Sequence, residues 1–248
     1  MTKIYDTLIE GCGYFSAGYA SACSDSVICE EHQICDTGFY LPLRSFAYHA
    51  YEPSTEIGKE LLELYSELGV FKENEQNLNR FESAFCKFIL KKQIKVYLKC
   101  KIVSKKQLTD GTWDVTVLSN EGLTHIYAKR IISTKADTDK RRYTVLFVSD
   151  DIERDRAKIL SAFDNSEIEP AFYGGRYALH ISTDSDDANE VKLRVYDKWC
   201  GLDINAKILY MAPTLYADEC ITPRCDDNYR SPIEAFEAGY LSATEDSI

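Results

Sequence analysis

The fold of this chain is decided by the stretch IYDTLIEGCGYFSAG, which occupies residues 4–18. Its first seven residues predict a strand, the glycines at positions 11 and 13 predict a tight turn, and small residues from about Ser16 to Ser24 predict a helix. The stretch SVICE at residues 26–30 predicts a second strand. A strand, a helix and a strand within about 27 residues form the unit expected of a parallel crossover.

The turn carries a fingerprint typical of dinucleotide binding, Gly11-x-Gly13-x-x-Ser16. The first glycine allows the tight turn, and the second lets a pyrophosphate approach the backbone at the positively polarised N-terminus of the helix. Glu30 ends the second strand, where a carboxylate can accept hydrogen bonds from ribose hydroxyls. Ser16 is small enough to replace the usual third glycine. A Rossmann-like unit that has lost its ligand would show the same pattern, and this alternative stays open.

Later segments extend the pattern of strands and helices. Amphipathic helices are predicted at residues 55–68 and 78–92, and strands at residues 95–104, 113–119, 123–128 and 129–133. The hairpin turns between the middle strands predict a β-meander. After a charged break at residues 139–143, the order β-α-β-β-α-β predicts a split βαβ unit, whose second strand is placed at residues 171–173.

The predicted fold class is therefore α/β, with a Rossmann-like nucleotide-binding domain, a β-meander and an inserted small α+β lobe of the split βαβ type. The nucleotide-binding domain is predicted to be discontinuous, with residues 1–138 and 205–248. The inserted lobe, which would form the substrate or cap region, is predicted at residues 139–204.

Several stretches, taken in order, are similar to those of a known superfamily. The opening DTLIEGCGYFSAG (6–18) is similar to DVxVxGGGxAG, and VICEE (27–31) is similar to a second strand that ends in a ribose-binding acid. Three later stretches also match: AKRIISTK (128–135), LYADECI (215–221) and SPIEAFEAGY (231–240). The chain thus resembles the flavin-dependent oxidoreductases of the glutathione-reductase-like superfamily, in particular the bacterial FAD-dependent enzymes of the fumarate-reductase and FixC type. The resemblance covers residues 1–50, 78–136 and 205–248.

This resemblance implies FAD as the cofactor. The cofactor-binding residues that follow from it are Gly11, Gly13, Ser16, Glu30, Glu31, Arg44 and Glu219. The pyrophosphate would lie against the glycine turn, within reach of Arg44, although a surface position is the simpler interpretation of this arginine. Glu219 stands where the family brings an acid to the ribityl chain or the pyrophosphate.

Two histidines are candidates for a catalytic role beside the flavin. His49 lies in an aromatic loop with Phe46, Tyr48 and Tyr51, and His180 lies in a predicted strand of the inserted lobe. A flavin supplies the redox chemistry, so the protein would supply position and a proton acceptor. Packing within the loop or the sheet is the simpler interpretation of each histidine.

Some glycines typical of the family are missing. Lys135 stands in place of the glycine of the ATG segment, and Asp218 stands in place of the glycine of the AGD segment. Only Gly38 remains of the glycine pair that usually follows the ribose-binding acid. A buried carboxylate beside the pyrophosphate would be costly unless it were paired.

These departures keep more than one hypothesis open. The first is a FAD-dependent oxidoreductase that transfers a hydride between flavin and a small organic substrate. The second is a degenerate flavoprotein-like subunit with a structural or regulatory role in a complex, which binds nucleotide weakly or not at all. A third, an NAD(P)-binding oxidoreductase without flavin, is disfavoured by the order of the later segments.

Composition and charge exclude several other classes. The 248 residues carry a formal net charge of −11, so nucleic acid is not an expected partner. No apolar stretch approaches the roughly 20 residues needed to span a membrane. Nine cysteines, without a CxxC pair and without a signal-peptide pattern, predict a reducing cytoplasm and no metal site. The expected partners are a small-molecule substrate and either a second copy of the chain or a partner subunit.

Overall fold

The structure is a computed structural model, and it describes residues 3–44, 51–72, 75–171, 175–218, 220 and 222–246. The helices are α1 (Tyr14–Ala22), α2 (Glu56–Glu67), α3 (Leu78–Lys91), α4 (Ile152–Ala162), α5 (Ala188–Cys200) and α6 (Pro232–Glu245). The strands are β1 (Ile4–Glu10), β2 (Ser26–Cys29), β3 (Phe71–Lys72), β4 (Glu75–Gln76), β5 (Val96–Tyr97), β6 (Lys101–Gln107), β7 (Trp113–Ser119), β8 (Gly122–Ser133), β9 (Arg141–Val148), β10 (Ser166–Pro170), β11 (Arg176–Thr183), β12 (Lys207–Met211) and β13 (Tyr216–Ala217). Among the described helices, none combines the length and the apolar character needed to cross a lipid bilayer.

The first sheet has the strand order β5-β2-β1-β8-β7-β6. Strands β5, β2, β1 and β8 run parallel, whereas β8, β7 and β6 form an antiparallel meander. Strand β2 is buried along its whole length, as expected of a parallel strand that is covered on both faces. This arrangement confirms the predicted β-α-β crossover and the predicted meander.

Two details of this sheet differ from the prediction. The strands predicted at residues 123–128 and 129–133 are the single strand β8, because no glycine or proline interrupts the extended backbone. The first part of β8 pairs with β7 and the last part with β1. The strand predicted at residues 95–104 is instead the two strands β5 and β6, because Lys99 between them takes a φ of +53° that breaks the extended chain.

The second sheet has the order β10-β11-β9-β12, and β13 also pairs with β9. Its neighbouring strands are antiparallel. The chain order β9-α4-β10-β11-α5-β12 confirms the predicted split βαβ unit. The strand before β11 is β10, and most of the strand predicted at residues 171–173 lies outside the described residues. Strands β12 and β13 follow residue 204, and the domain boundaries at 138/139 and 204/205 stay a prediction.

Helices α1 and α6 pack closely against each other through two glycines. A Cβ on Gly18 would overlap the backbone carbonyl of Phe236, and a Cβ on Gly239 would overlap that of Phe15. Helix α6 begins at Pro232, after Ser231, whose side chain accepts a hydrogen bond within the first turn. The close crossing holds the C-terminal helix against the N-terminal β-α-β unit.

Apolar side chains cover both faces of the first sheet. Because successive side chains of a strand point to opposite faces, Ile9 and Ile28 enter the largest core, whereas Leu8 and Val27 enter a smaller core with the meander. The fully buried aromatic residues of the largest core include Tyr14, Tyr65, Phe81, Phe85, Phe88 and Phe236. A third core packs the second sheet against α4 and α5.

Replacement of Gly18 or Gly239 by alanine should lower the free energy of unfolding by about 1–3 kcal/mol, because the added methyl group forces α1 and α6 apart. Gly201→Ala is the matched control, since the nearest atom to a Cβ at Gly201 is 3.4 Å away and its φ is −84°. Chemical denaturation measures all three variants. Equal stability of Gly18→Ala and Gly201→Ala would contradict the close crossing.

Candidate functional site

A cleft of about 210 Å³ opens at the carboxyl ends of β1 and β2. The turn after β1, the end of β2, the segment after β8 and the turn around residue 226 form its walls. Of the predicted cofactor residues, Gly11, Gly13, Glu30 and Glu31 line it, whereas Ser16 and Arg44 do not. Open α/β sheets bind ligands in crevices of this kind. The cleft is therefore the candidate site.

The acid that follows β2 is fixed by two backbone groups. Glu30 is buried, and its carboxylate accepts a hydrogen bond from the Cys12 N–H at 2.7 Å and another from the His32 N–H at 2.8 Å. A carboxylate has about four lone-pair sites, so further donors can still bind it. Glu31 is exposed and pairs with Lys101 at 2.8 Å, a contact that lowers the pKa of the Glu31 carboxyl.

The N-terminus of α1 carries a carboxylate from the chain itself. Asp226 is only 6% exposed, and its two oxygens accept hydrogen bonds from the N–H groups of Tyr14 and Phe15, each at 2.8 Å. These N–H groups belong to the first turn of α1, where a helix has no internal acceptors and its dipole favours an anion. Asp226 therefore occupies the position that the glycine fingerprint predicts for a pyrophosphate.

Two glycines make room for this carboxylate. A Cβ on Gly13 or on Gly38 would overlap the Asp226 side chain. Gly13 is the position at which a pyrophosphate is expected to approach the backbone, and Gly38 is what remains of the expected glycine pair. Both glycines contact Asp226 in this structure.

Arg44 fixes the turn that presents Asp226. Its guanidinium donates hydrogen bonds to the carbonyl oxygen of Asp226 at 2.9 Å and to that of Tyr229 at 2.8 Å. It also lies 3.3 Å from one carboxylate oxygen of Asp227, whose other oxygen accepts a hydrogen bond from the Ala217 N–H at 2.8 Å. The arginine predicted to reach a pyrophosphate thus binds the turn that stands at the pyrophosphate position.

Burial changes the protonation of two carboxyls beside the helix. Desolvation raises the pKa of Asp226 to about 6, although the N–H groups of Phe15 and Tyr14 and the charge of Arg44 act in the opposite direction. Desolvation, with a further contribution from Asp226, raises the pKa of Asp36 to about 8. The charge of Asp226 thus disfavours ionisation of Asp36, and a further anion in the cleft would act on both carboxyls in the same direction.

The lysine that replaces a family glycine is paired. Lys135 Nζ lies 2.9 Å from one carboxylate oxygen of Glu10, and Lys105 Nζ lies 2.7 Å from the other. Burial alone would raise the pKa of Glu10, but the two lysines lower it below its usual value. Asp218, which replaces the other glycine, forms an ion pair with Arg142. Both departures from the glycine pattern are thus neutralised within the chain.

His180 lies in β11, one hydrogen bond away from the cleft. Its Nδ1 is 3.0 Å from the Thr144 hydroxyl and 3.0 Å from the hydroxyl of Tyr216, which lines the cleft. Burial, together with the charges of Arg142 and Arg44, lowers the pKa of His180 to about 4. The imidazole is therefore neutral at pH 7 and fixed by its partners, and a catalytic role for it stays a prediction.

Three further predicted residues do not face the cleft or are not described. Ser16 is fully buried, and its hydroxyl donates to that of Thr134 at 3.3 Å. His49 and Glu219 lie outside the described residues. In the described part of the chain, no group of three or more His, Cys, Asp or Glu side chains is arranged to hold a metal ion.

Sequence reasoning missed Asp226, which lines the cleft and accepts hydrogen bonds from the N-terminus of α1. Its partner Tyr14 is 212 residues away along the chain, and no local pattern links the two. The one local signal is an acidic pair, Asp226 and Asp227, in a turn that precedes α6. Such pairs are common on protein surfaces, so this signal alone does not identify the contact.

Solved structures share the fold at low sequence identity, whereas no family model and no curated protein matches the chain. A geranylgeranyl bacteriochlorophyll reductase-like protein from Thermoplasma acidophilum aligns with a TM-score of 0.58 and 12% identity, over 98% of this chain and 78% of that one. The OxyS anhydrotetracycline hydroxylase from Streptomyces rimosus aligns with a TM-score of 0.55 and 12% identity, over 85% of this chain and 52% of that one.

A flavoprotein/dehydrogenase from Cytophaga hutchinsonii aligns with a TM-score of 0.54 and 11% identity, over 99% of this chain and 79% of that one. The chain thus spans most of the length of some matched proteins, but only about half the length of the OxyS hydroxylase. At these identities the likeness concerns the fold alone. It confirms the predicted class, an α/β fold of the Rossmann-type flavoproteins.

FAD is the cofactor expected of this fold, and two of its parts, the adenosine ribose and the pyrophosphate, fit this cleft differently. Glu30 has the position of an acid that binds the adenosine ribose. The pyrophosphate position, in contrast, holds the Asp226 carboxylate on the N–H groups that a phosphate would need. The cleft volume of about 210 Å³ is also below the roughly 300–1,000 Å³ of ordinary ligand sites. In this arrangement the residues do not fit FAD.

Asp226→Asn should remove part of the pH dependence of stability. The folded state raises the pKa of Asp226 from its usual 3.8 to about 6, so folding favours the protonated carboxyl. Its contribution to stability is therefore greatest below pH 3.8 and is lost as the pH rises through about 6. Between pH 4 and 6 the wild type loses this contribution, whereas the asparagine variant has no such carboxyl to lose it from. The free energy of unfolding of the variant should therefore rise relative to that of the wild type over this range and then level off.

Urea denaturation at a series of pH values measures this difference. Asp164→Asn, at an exposed aspartate, is the control and should leave the stability nearly unchanged at every pH. A difference between Asp226→Asn and wild type that does not vary with pH would contradict the burial of a titrating carboxyl at this position.

Proposed function

We propose that this chain is a non-catalytic protein with a flavoprotein fold, acting as a structural or regulatory subunit with a second copy or another chain, and binding FAD weakly or not at all. One observation carries this proposal: the Asp226 carboxylate accepts hydrogen bonds from the N–H groups of Tyr14 and Phe15. A diphosphate would need the same donors. Because the chain supplies its own anion to α1, the helix terminus is complete without a ligand.

Electrostatic repulsion makes joint occupation unfavourable. Two unit negative charges 4 Å apart repel by about 4 kcal/mol at an effective dielectric constant near 20. Since about 1.4 kcal/mol corresponds to a factor of ten in affinity, a carboxylate left in place lowers the affinity for a diphosphate by roughly two to three orders of magnitude.

Displacement of Asp226 would avoid this repulsion, but it would disturb a well-bonded turn. The Arg44 guanidinium holds the turn by donating hydrogen bonds to the carbonyl oxygens of Asp226 and Tyr229. The Ala217 N–H donates a further hydrogen bond to the Asp227 carboxylate. Hydrogen bonds that involve a charged group contribute about 1.5–3 kcal/mol each. A cofactor would have to compensate for those that break.

A FAD-dependent oxidoreductase that acts on a small organic substrate by hydride transfer is the second candidate. Two observations favour it: Gly11 makes the expected turn with a φ of +98°, and Glu30 lines the cleft. This candidate requires Asp226 and its turn to leave the helix terminus when FAD binds. An NAD(P)-binding enzyme is disfavoured in the same way, because its pyrophosphate would use the same helix terminus.

The protein purified without added cofactor should be colourless and should not take up FAD. Asp226→Ala should raise the affinity for FAD at least tenfold, because it frees the Tyr14 and Phe15 N–H groups and removes the repulsion. Visible absorption, with mass spectrometry of any small molecule released on denaturation, tests the first statement. Titration followed by flavin fluorescence tests the second.

Asp227→Asn is the matched control, because it removes one negative charge from the same cleft and leaves Asp226 on α1. Because the N–H groups of Tyr14 and Phe15 stay occupied, its affinity for FAD should rise by less than that of Asp226→Ala. Wild-type protein that retains FAD through purification would overturn the proposal in favour of the oxidoreductase. If Asp226→Ala does not fold, Asp226→Ser allows the same comparison, since a serine hydroxyl can still accept one N–H.

A further inference from the structure

We propose that the cleft binds a nucleoside without phosphate, and that Asp226 excludes the phosphorylated form of the same molecule. The vicinal hydroxyls of the ribose donate to Glu30, and the free 5′-hydroxyl donates to Asp226. This inference deepens the proposed function and rests on it, because it requires the Asp226 carboxylate to stay on the N-terminus of α1. It gives a regulatory subunit a small ligand other than FAD.

Two buried carboxylates that line the cleft are held by the same short stretch of backbone. Glu30 accepts the Cys12 N–H at 2.7 Å, and Asp226 accepts the Tyr14 N–H at 2.8 Å. Because two residues of chain span at most about 7 Å, these two N–H groups are close neighbours. A single ribose, with hydroxyl groups at both ends, can therefore reach both carboxylates.

Each carboxylate can accept further hydrogen bonds. A carboxylate offers about four lone-pair sites, and backbone N–H groups use two of them on Glu30 and two on Asp226. The remaining sites require donors. A hydroxyl is a donor, whereas an ionised phosphate presents acceptor oxygens. The same molecule therefore matches the cleft when its 5′-hydroxyl is free and is repelled when that hydroxyl is phosphorylated.

The lysines that line the cleft are engaged by carboxylates of the chain. Lys101 lies 2.8 Å from Glu31. Lys135 lies 2.9 Å from Glu10. A phosphate would have to break one of these ion pairs to gain a counterion against the charge of Asp226. A nucleoside carries no such charge and leaves both ion pairs intact.

The size of the cleft also suits a nucleoside better than a dinucleotide. Its volume is about 210 Å³, below the roughly 300–1,000 Å³ of ordinary ligand sites. A nucleoside consists of a base and a sugar, and it lacks the pyrophosphate, the ribityl chain and the flavin of FAD. The contacts with Glu30 and Asp226 recognise the sugar, so nucleosides with different bases are all suitable probes.

Adenosine, guanosine, cytidine and uridine, each titrated calorimetrically into the wild-type protein near neutral pH, test the ligand class. At least one should bind saturably, with a dissociation constant below about 1 mM. Its 2′,3′-dideoxy analogue should bind at least tenfold more weakly, because the buried Glu30 carboxylate then loses its donors. Absence of saturable binding for all four, or equal binding of the dideoxy analogue, would overturn the proposal.

The 5′-monophosphate of the nucleoside that binds tests the role of Asp226. The wild type should bind it at least tenfold more weakly than the nucleoside, because the phosphate and the Asp226 carboxylate repel each other. This ratio should fall at least tenfold in Asp226→Ala, or in Asp226→Ser if the alanine variant does not fold. It should fall by less in Asp227→Asn, the matched control, because Asp226 stays on α1.

A ratio that is unchanged in Asp226→Ala, or a wild type that binds the monophosphate as tightly as the nucleoside, would overturn the role of Asp226. Failure of this inference is distinguishable from failure of the proposed function. Retention of FAD by the wild type rejects the proposed function, whatever the result with nucleosides. A colourless wild type that binds none of the four nucleosides rejects this inference alone.

Discussion

The contact between the Asp226 carboxylate and the first turn of α1 is the interaction on which the rest of the structure depends. It gives acceptors to the buried N–H groups of Tyr14 and Phe15, which would otherwise cost about 1–3 kcal/mol each. It also joins the C-terminal turn to the β-α-β unit, and the glycine crossing of α1 with α6 brings the same two parts of the chain together. The free N–H groups of a buried helix N-terminus need acceptors, and this chain provides them itself.

Elements formed by neighbouring segments could be predicted from the sequence. The β1-α1-β2 crossover, the meander and the β-α-β-β-α-β unit follow from periodicity and from turn residues. The errors concern the ends of strands. Strand β8 continues past Ala128 because it exchanges β7 for β1 as its partner, and such an exchange leaves no mark in the sequence. The break before β6 uses Lys99 in a left-handed conformation, so no glycine marks it.

The candidate site was predictable only where its residues belong to one crossover. The turn glycines and Glu30 could be placed at one cleft because their spacing follows from the β-α-β unit. Asp226 could not be placed, because its contact with Tyr14 spans 212 residues. The pairing of Lys135 with Glu10 depends on the register in which Glu10 lies opposite Ser133. Contacts of this kind are determined by packing, and the local pattern contains no signal for them.

The missing glycines and the position of Asp226 have one physical explanation. A site that awaits a dianion leaves donors and cations without internal partners. Here Lys135 pairs with Glu10, Arg142 pairs with Asp218, and the N–H groups of Tyr14 and Phe15 bind Asp226. Burial of the Asp226 charge has a cost, as its raised pKa shows. Two buried donors without acceptors would also be costly, and the Asp226 carboxyl removes that cost from the N–H groups of Tyr14 and Phe15.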